Sequence, residues 1–121
     1  MDVYLVTGGA GFIGSNIAER LVRLGRAVRV LDNFSTGKRE NLSAFGDSID
    51  VIEGDIAELS VCKRAVLGVK YVLHQAALPS VPRSVKDPIA TNNANVVGTL
   101  NMLQAAREAG VKRFDFLDLR W

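Results

Sequence analysis

The chain of 121 residues has very little of the residue types on which several common functions depend. It has one cysteine, Cys62, and one histidine, His74, so an internal disulfide and a cysteine- or histidine-rich metal cluster are both excluded. We therefore expect no metal site. Fifteen Lys and Arg residues against thirteen Asp and Glu leave a formal charge of +2, which is too small and too scattered to indicate a nucleic-acid partner.

Long apolar segments are also missing. No apolar run approaches the roughly 18 residues that cross a bilayer, and residues 1–6 lack the basic region and apolar stretch of a signal peptide. We therefore expect a cytoplasmic protein with no membrane partner. Hydrophobic residues make up 48% of the chain and charged residues 23%, which is typical of one globular domain.

Short apolar segments alternate with amphipathic ones along the chain. Strands are predicted at 3–7, 27–31, 49–53 and 70–75, and a fifth begins within 111–114. Helices are predicted at 13–24, 58–67 and 87–109, with a short helical turn near 39–44. Strand and helix in alternation indicate a parallel sheet with right-handed crossovers, so we predict an α/β doubly wound fold.

The segment T-G-G-A-G-F-I-G-S, residues 7–15, follows the first predicted strand and opens the first helix. Two glycine patterns overlap in it: G-x-G-x-x-G at Gly9, Gly11 and Gly14, and G-x-x-G-x-x-G at Gly8, Gly11 and Gly14. Such glycines permit a sharp turn, close approach of a pyrophosphate, and close packing of helix on strand at Gly14. The amides of Phe12 and Ile13 would then face an anion. A tight turn without a ligand is the alternative.

Asp32 stands 18 residues after Gly14, at the predicted end of the second strand. A carboxylate there can accept hydrogen bonds from the adenosine ribose hydroxyls. It would also repel a 2′-phosphate, which favours NAD over NADP, although the nearby Lys38 and Arg39 leave NADP open. A P-loop is excluded, because its pattern before Lys38 would need a glycine at position 32.

Several ordered blocks together resemble the extended short-chain dehydrogenase/reductase family, in particular its nucleotide-sugar epimerases and dehydratases. They are the glycine segment, D-N-F-S-T-G-K-R-E-N-L at 32–42, G-D-I at 54–56, H-Q-A-A-L-P-S-V-P-R-S-V-K-D-P at 74–88, and N-V-V-G-T-L-N at 95–101. The 74–88 block looks most like UDP-glucose and UDP-N-acetylglucosamine 4-epimerases. The resemblance implies an incomplete Rossmann-type NAD(P)-binding domain over 1–114, truncated after about five strands, and an atypical tail at 115–121.

The resemblance implies NAD as the cofactor and, for the full-length family, a nucleotide-sugar substrate. The implied cofactor-binding residues are Gly8, Gly11, Phe12, Ile13, Gly14, Asp32, Asn33, Ser35, Thr36, Gly37, Asp55, Ile56, Ala76, Ala77, Leu78 and Asn95. Among them, Asp55 would bond the adenine amino group and Ile56 would flank the ring. Ser80 and Arg83 would face the sugar nucleotide, although a solvated loop explains them almost as well.

Two of the implied cofactor residues, and two other residues of note, also have purely structural interpretations. Asp55 could cap the helix that follows it, and Asn95 could be an ordinary polar helix residue. His74 is better explained as a hydrogen-bonded strand-end histidine than as a catalyst. Cys62 is best explained as a small buried side chain.

The family's proton transfer uses a tyrosine and a lysine four residues later, where the lysine lowers the tyrosine pKa. Gly8 follows Tyr4 at that spacing and Gln75 follows Tyr71, so we assign no catalytic residue. The pattern also changes after Phe114, where Asp115 is unsuited to a strand buried on both faces. A reading-frame change or a chain truncation would account for this departure.

We therefore expect an N-terminal, NAD-binding portion of a 4-epimerase-like protein that is inactive alone. The alternatives are a non-catalytic NAD-binding or assembly module, a dehydratase or decarboxylase portion, and a remnant that does not fold stably. The family commonly forms homodimers through two helices per subunit, of which only the one near 88–109 falls within this sequence.

Overall fold

The computed structural model describes residues 2–35, 37–75 and 96–116. Five parallel strands form one sheet in the order β3-β2-β1-β4-β5. The strands are β1 (Val3–Thr7), β2 (Ala27–Asp32), β3 (Ile49–Glu53), β4 (Val69–His74) and β5 (Arg113–Phe116). From β1, the next two strands in the chain, β2 and β3, lie on one side. The following strands, β4 and β5, lie on the other side of β1. The predicted doubly wound α/β fold is confirmed.

Helices cover both faces of the sheet. They are α1 (Phe12–Arg23), α2 (Leu59–Ala65) and α3 (Gly98–Ala109), with a 3-10 helical segment at Arg39–Ser48. α1 and α3 end where predicted, because Gly25 and Gly110 take left-handed φ angles of 75° and 74° just past the last helical turn. The predicted start of the third helix, at residue 87, lies outside the described residues.

The strands at the centre of the sheet are buried on both faces. Leu5 and Val6 of β1 are each 0% exposed, and they lie in different cores because neighbouring strand residues point to opposite faces. Leu5 packs with residues of α2 and α3, and Val6 packs with residues of α1 and the 3-10 segment. Cys62 is fully buried, its Sγ donates to the Ile56 carbonyl, and burial raises its pKa to about 11. The prediction of a small buried thiol is confirmed.

β5 continues two residues past Phe114 and includes Asp115. The expectation that an acid does not suit this strand therefore fails, for a physical reason. Among the described strands, β5 pairs with β4 alone, and Asp115 is only partly buried and accepts a 3.0 Å hydrogen bond from Arg113 Nε. Within residues 2–35, 37–75 and 96–116, no helix is long and apolar enough to cross a membrane.

Candidate dinucleotide-binding site

The described residues that are predicted to bind a cofactor follow the carboxyl ends of neighbouring strands. The amide of Gly8 donates to the Leu31 carbonyl at 2.8 Å, and that of Gly54 donates to the Asp32 carbonyl at 3.0 Å. These bonds extend the β1–β2 and β2–β3 ladders and bring the glycine loop and the turns after β2 and β3 to one edge of the sheet. The strand order reverses beside β1, and ligands of open α/β sheets bind in the crevice at such a point.

Three of the loop glycines are explained by the protein's own packing. Gly8 has a φ of 69°, which supplies the turn out of β1. A Cβ on Gly14 would lie 2.1 Å from the Gly8 carbonyl oxygen, and one on Gly9 would lie 2.6 Å from a Val30 methyl group. α1 therefore begins in direct contact with the loop, as the sequence predicts for Gly14.

Gly11 differs from these glycines, because a Cβ there would meet only the Gly8 carbonyl oxygen, at 3.4 Å. Its φ of −74° is also open to any residue. Gly11 caps α1 without a side-chain hydrogen bond, and the first turn carries no acidic residue. The leading amides of α1, including those of Phe12 and Ile13, have no acceptor within the helix and favour an anion. This open, donor-rich position fits a pyrophosphate.

Asp32 connects the glycine loop to the turn after β2. The residue is 8% exposed; Oδ2 accepts the Ala10 amide at 2.9 Å, and Oδ1 accepts the Phe34 amide at 2.7 Å. A carboxylate has about four lone-pair positions, so two amides leave acceptor capacity for ribose hydroxyls. The side chain of Asn33 is exposed and accepts the Ser35 amide at 3.0 Å.

Residues 37–41 hold the loop from its other side. The Ala10 carbonyl accepts the Lys38 amide at 3.1 Å and Asn41 Nδ2 at 2.7 Å. A Cβ on Gly37 would lie 2.8 Å from the Ala10 carbonyl carbon and Cβ, so Gly37 permits this contact. Sequence analysis assigned no role to Asn41, and its place in the 32–42 block was the only signal.

Arg39 lies beside this site and contacts neighbouring protein groups. It forms an ion pair with Glu53 at the end of β3, and its guanidinium lies 4.1 Å from the centre of the Phe34 ring. Phe34 itself has a φ of 59°, which turns the chain after β2. The Arg39 side chain is nevertheless 65% exposed, so this surface ion pair holds it only weakly.

The Asp55–Ile56 pair lies at the end of β3. Asp55 is exposed, and its Oδ1 accepts the Ala57 amide at 2.9 Å. It closes a turn before α2 and does not cap that helix, whose N-cap is Glu58. Ile56 is 5% exposed, and a Cβ added to Gly98 of α3 would lie 2.4 Å from its Cδ1. The side chain of Ile56 thus faces the core.

His74 is a hydrogen-bonded strand-end residue, as predicted. It is 1% exposed, with Nδ1 2.7 Å from Thr7 Oγ1 and Nε2 3.0 Å from Thr99 Oγ1. Burial lowers its pKa to about 4. Sequence analysis did not predict the part that Thr99 plays here.

The structure thus brings the glycine loop, Asp32 and Gly37 into direct contact and places Asp55 and Ile56 on the neighbouring strand end. The remaining predicted residues lie outside the described part of the chain, namely Thr36, Ala76, Ala77, Leu78, Ser80, Arg83 and Asn95. In the described ranges, no three His, Cys, Asp or Glu side chains cluster in a way that could hold a metal ion.

A parallel sheet in this order, with a glycine loop after β1 and an acid ending β2, defines a dinucleotide-binding α/β protein. Residues 4–118 match the model of the NAD-dependent epimerase/dehydratase family, and the chain belongs to that family. The prediction of the family is confirmed, and its dependence on NAD agrees with the predicted cofactor.

Proteins similar to this chain include the UDP-glucose 4-epimerase of Mycolicibacterium smegmatis, which is 41% identical over 112 residues, or 90% of this chain and 36% of the relative. The UDP-glucose 4-epimerase of Thermus thermophilus, solved with NAD, has a TM-score of 0.84 and 42% identity over 93% of this chain and 36% of its own. The dTDP-glucose 4,6-dehydratase of Streptomyces venezuelae, solved with NAD and TYD, has a TM-score of 0.87 and 36% identity over 93% and 38%. The chain thus spans little more than a third of each relative.

Proposed function

We propose that this chain is the NAD-binding portion of a nucleotide-sugar 4-epimerase-like protein. The observation that carries the proposal is the arrangement around Asp32. Its buried carboxylate holds the Ala10 amide of the glycine loop at 2.9 Å, while Gly11 leaves the entrance to α1 open. One acceptor for ribose hydroxyls and one donor-rich position for a pyrophosphate therefore stand side by side.

The chain's own residues would hold the dinucleotide along the edge of the sheet. The amides of Phe12 and Ile13 would donate to the pyrophosphate, Asp32 would accept the ribose hydroxyls, and Asp55 would accept the adenine amino group. When bound, NAD supplies a hydride acceptor that can return the hydride. Asn33, Ser35 and the remaining predicted cofactor residues are part of this proposal.

NAD rather than NADP suits the charges at the site. Asp32 is an acid at the ribose position, and a 2′-phosphate there would meet a like charge. Of the two nearby cations, Arg39 contacts Glu53 and the Phe34 ring and Lys38 is exposed, so the preference rests on the acid Asp32. We therefore expect NADP⁺ to bind more weakly than NAD⁺, and calorimetric titration of both against the same sample measures the difference.

We further propose that the 121 residues do not catalyse epimerisation alone. Neither Tyr4 nor Tyr71 has a lysine four residues later, so the sequence offers no tyrosine–lysine pair for the sugar hydroxyl proton. The expected result is no conversion between UDP-glucose and UDP-galactose with NAD⁺ present, followed by chromatography of the nucleotide sugars. Turnover by the purified chain would contradict this.

Two other functions stay open. The similarity to a dTDP-glucose 4,6-dehydratase, and to UDP-glucuronic acid decarboxylases such as that of Danio rerio, keeps a dehydratase or decarboxylase portion as an alternative. A non-catalytic NAD-binding or assembly module is the other. Activity restored by a second polypeptide that carries a Tyr-x-x-x-Lys sequence would favour assembly, and its product would distinguish the chemistries.

Dimerisation and cytoplasmic location also belong to the proposal, and so does a boundary between domain and tail, which β5 moves from Phe114 to no earlier than Phe116. α3 leaves Leu100 and Leu103 60% and 43% exposed, which supports an association through this helix. Sedimentation equilibrium tests for the homodimer, fractionation of cells tests the location, and limited proteolysis tests whether the protected domain extends to Phe116.

The binding site is tested by NAD⁺ calorimetry on the chain and on Asp32→Asn, with circular dichroism to verify folding. The amide cannot accept from both Ala10 and Phe34 with two oxygens, so we expect roughly ten- to hundredfold weaker binding, the usual effect of losing a hydrogen bond to a charged group. Asp47→Asn makes the same charge change at an exposed position in the 3-10 segment and should bind normally. Equal affinity of the two variants would contradict the proposed site.

A further inference from the structure

We propose that His74 is a positioning residue of this NAD site: by bonding Thr7 and Thr99 at once, it fixes the first turn of α3 relative to the glycine loop. The inference rests on the proposed function. It concerns how the glycine loop and the first turn of α3 are held in a fixed position relative to each other. It assigns His74 no contact with the cofactor.

The first contact joins His74 to the start of the glycine loop. Thr7 is the last residue of β1 and 0% exposed, and Gly8 follows it directly. Thr7 Oγ1 lies 2.7 Å from His74 Nδ1 and accepts the Gln75 amide at 2.9 Å. The ends of β1 and β4 are therefore tied together where the loop leaves the sheet.

The second contact joins His74 to α3. Nε2 lies 3.0 Å from the hydroxyl of Thr99, the second residue of that helix. The first turn of α3 in turn contacts Ile56, because Gly98 has room only for a hydrogen atom against it and Asn101 Nδ2 donates to its carbonyl at 2.9 Å. A shift of this turn would therefore move Ile56, which adjoins the proposed adenine ligand Asp55.

The linking side chain is buried and packed against two aromatic rings. The rings of Phe114 and Phe116 each lie 5.6 Å from the imidazole, which is 1% exposed. A hydroxyl both donates and accepts, so Thr7 and Thr99 satisfy both nitrogens of a neutral imidazole in either tautomer. A buried network in which every member is satisfied resists rearrangement, and removal of one member leaves its partner unpaired.

Thr99 provides the matched test, because Thr99→Val removes the hydroxyl with little change of shape and Thr99→Ser keeps it. The readout is the dissociation constant for NAD⁺, measured by calorimetry on the 121-residue chain well below the melting temperature of each variant. We expect weaker binding for Thr99→Val, by up to about tenfold, because the lost hydrogen bond sets the upper limit and only the part of it that positions the site appears in binding. Thr99→Ser should stay within about twofold of the unmodified chain.

A double-mutant cycle with His74→Phe tests whether Thr99 acts through His74. If it does, adding Thr99→Val to His74→Phe should weaken NAD⁺ binding no further, because the hydroxyl has already lost its partner. Effects that multiply would overturn the inference. If His74→Phe does not fold, ¹⁵N spectra of the imidazole replace it: the Nε2 signal should move in Thr99→Val and stay in place in Thr99→Ser.

The outcomes separate this inference from the proposed function. If the folded, unmodified chain does not bind NAD⁺, the proposed function fails and the inference falls with it. If that chain binds and Thr99→Val binds equally tightly, the inference alone is overturned. It is also overturned if the valine and serine variants lose the same affinity, because the hydroxyl would then be irrelevant.

Discussion

Acidification below pH 6.5 should destabilise the fold through one side chain, His74. Its pKa is lowered from 6.5 to about 4 by burial. As the pH falls, the unfolded chain binds the proton first, because its histidine has the higher pKa. The stabilisation that is present above pH 6.5 is therefore lost between pH 6.5 and 4. Below pH 4, His74 causes no further change in the free energy of unfolding. At ~1.4 kcal/mol per unit of pKa difference, the full loss is about 3 kcal/mol.

Urea unfolding followed by circular dichroism measures this loss. His74 is the chain's one histidine, so the window from pH 6.5 to 5 reports mainly on it, and the unfolding free energy should fall by about 2 kcal/mol there. His74→Gln keeps a polar side chain without titrating in that window, and its unfolding free energy should be nearly flat. The reasoning is refuted if the unmodified chain is flat between pH 6.5 and 5, or if the glutamine variant has the same slope.

Three further substitutions test contacts that stabilise the fold or the site. Arg29→Met should lower the free energy of unfolding by about 2 kcal/mol, because Nη1 donates to the Ala65 and Leu67 carbonyls at 2.8 and 2.7 Å and these would lose a charged donor. Asp50→Asn weakens only the more exposed side of the same cluster and should cost less than about 1 kcal/mol in urea unfolding; an equal cost would contradict this. Asn41→Leu should weaken NAD⁺ binding in calorimetry with circular dichroism unchanged, since the Ala10 carbonyl loses a 2.7 Å hydrogen bond; unaltered binding would show that the contact has no such part.

Periodicity predicted the sheet well because it records which residues are buried. The observed bounds of β1 and β3, Val3–Thr7 and Ile49–Glu53, are those predicted. The segment after residue 39 was less clear, since it is a 3-10 helix that Gly46 interrupts with a φ of 53° and a ψ of −125°. Neither feature leaves a hydrophobic repeat in the sequence.

Contacts between distant segments could not be predicted in this way. Asn41 reaches Ala10 across 31 positions, and Thr99 reaches His74 across 25. Apart from its place in one of the family-like blocks, neither residue differs from an ordinary polar surface residue when the sequence is considered alone. The role of Asp55 could not be predicted from the sequence either, because an acid that closes a turn and an acid that caps a helix occupy nearly the same position. The observed N-cap at Glu58 distinguishes the two roles.

The central claim, that the glycine loop holds a dinucleotide, is tested most directly by comparing NAD⁺ binding and thermal unfolding in Gly11→Ala and Gly14→Ala. A Cβ at Gly11 has room, whereas one at Gly14 would lie 2.1 Å from a backbone oxygen. We predict that the unmodified chain binds NAD⁺ saturably and that Gly11→Ala loses binding while its stability changes by less than about 1 kcal/mol. Gly14→Ala should be destabilised by about 1–3 kcal/mol. A folded Gly11→Ala that binds NAD⁺ as tightly as the unmodified chain would contradict the account.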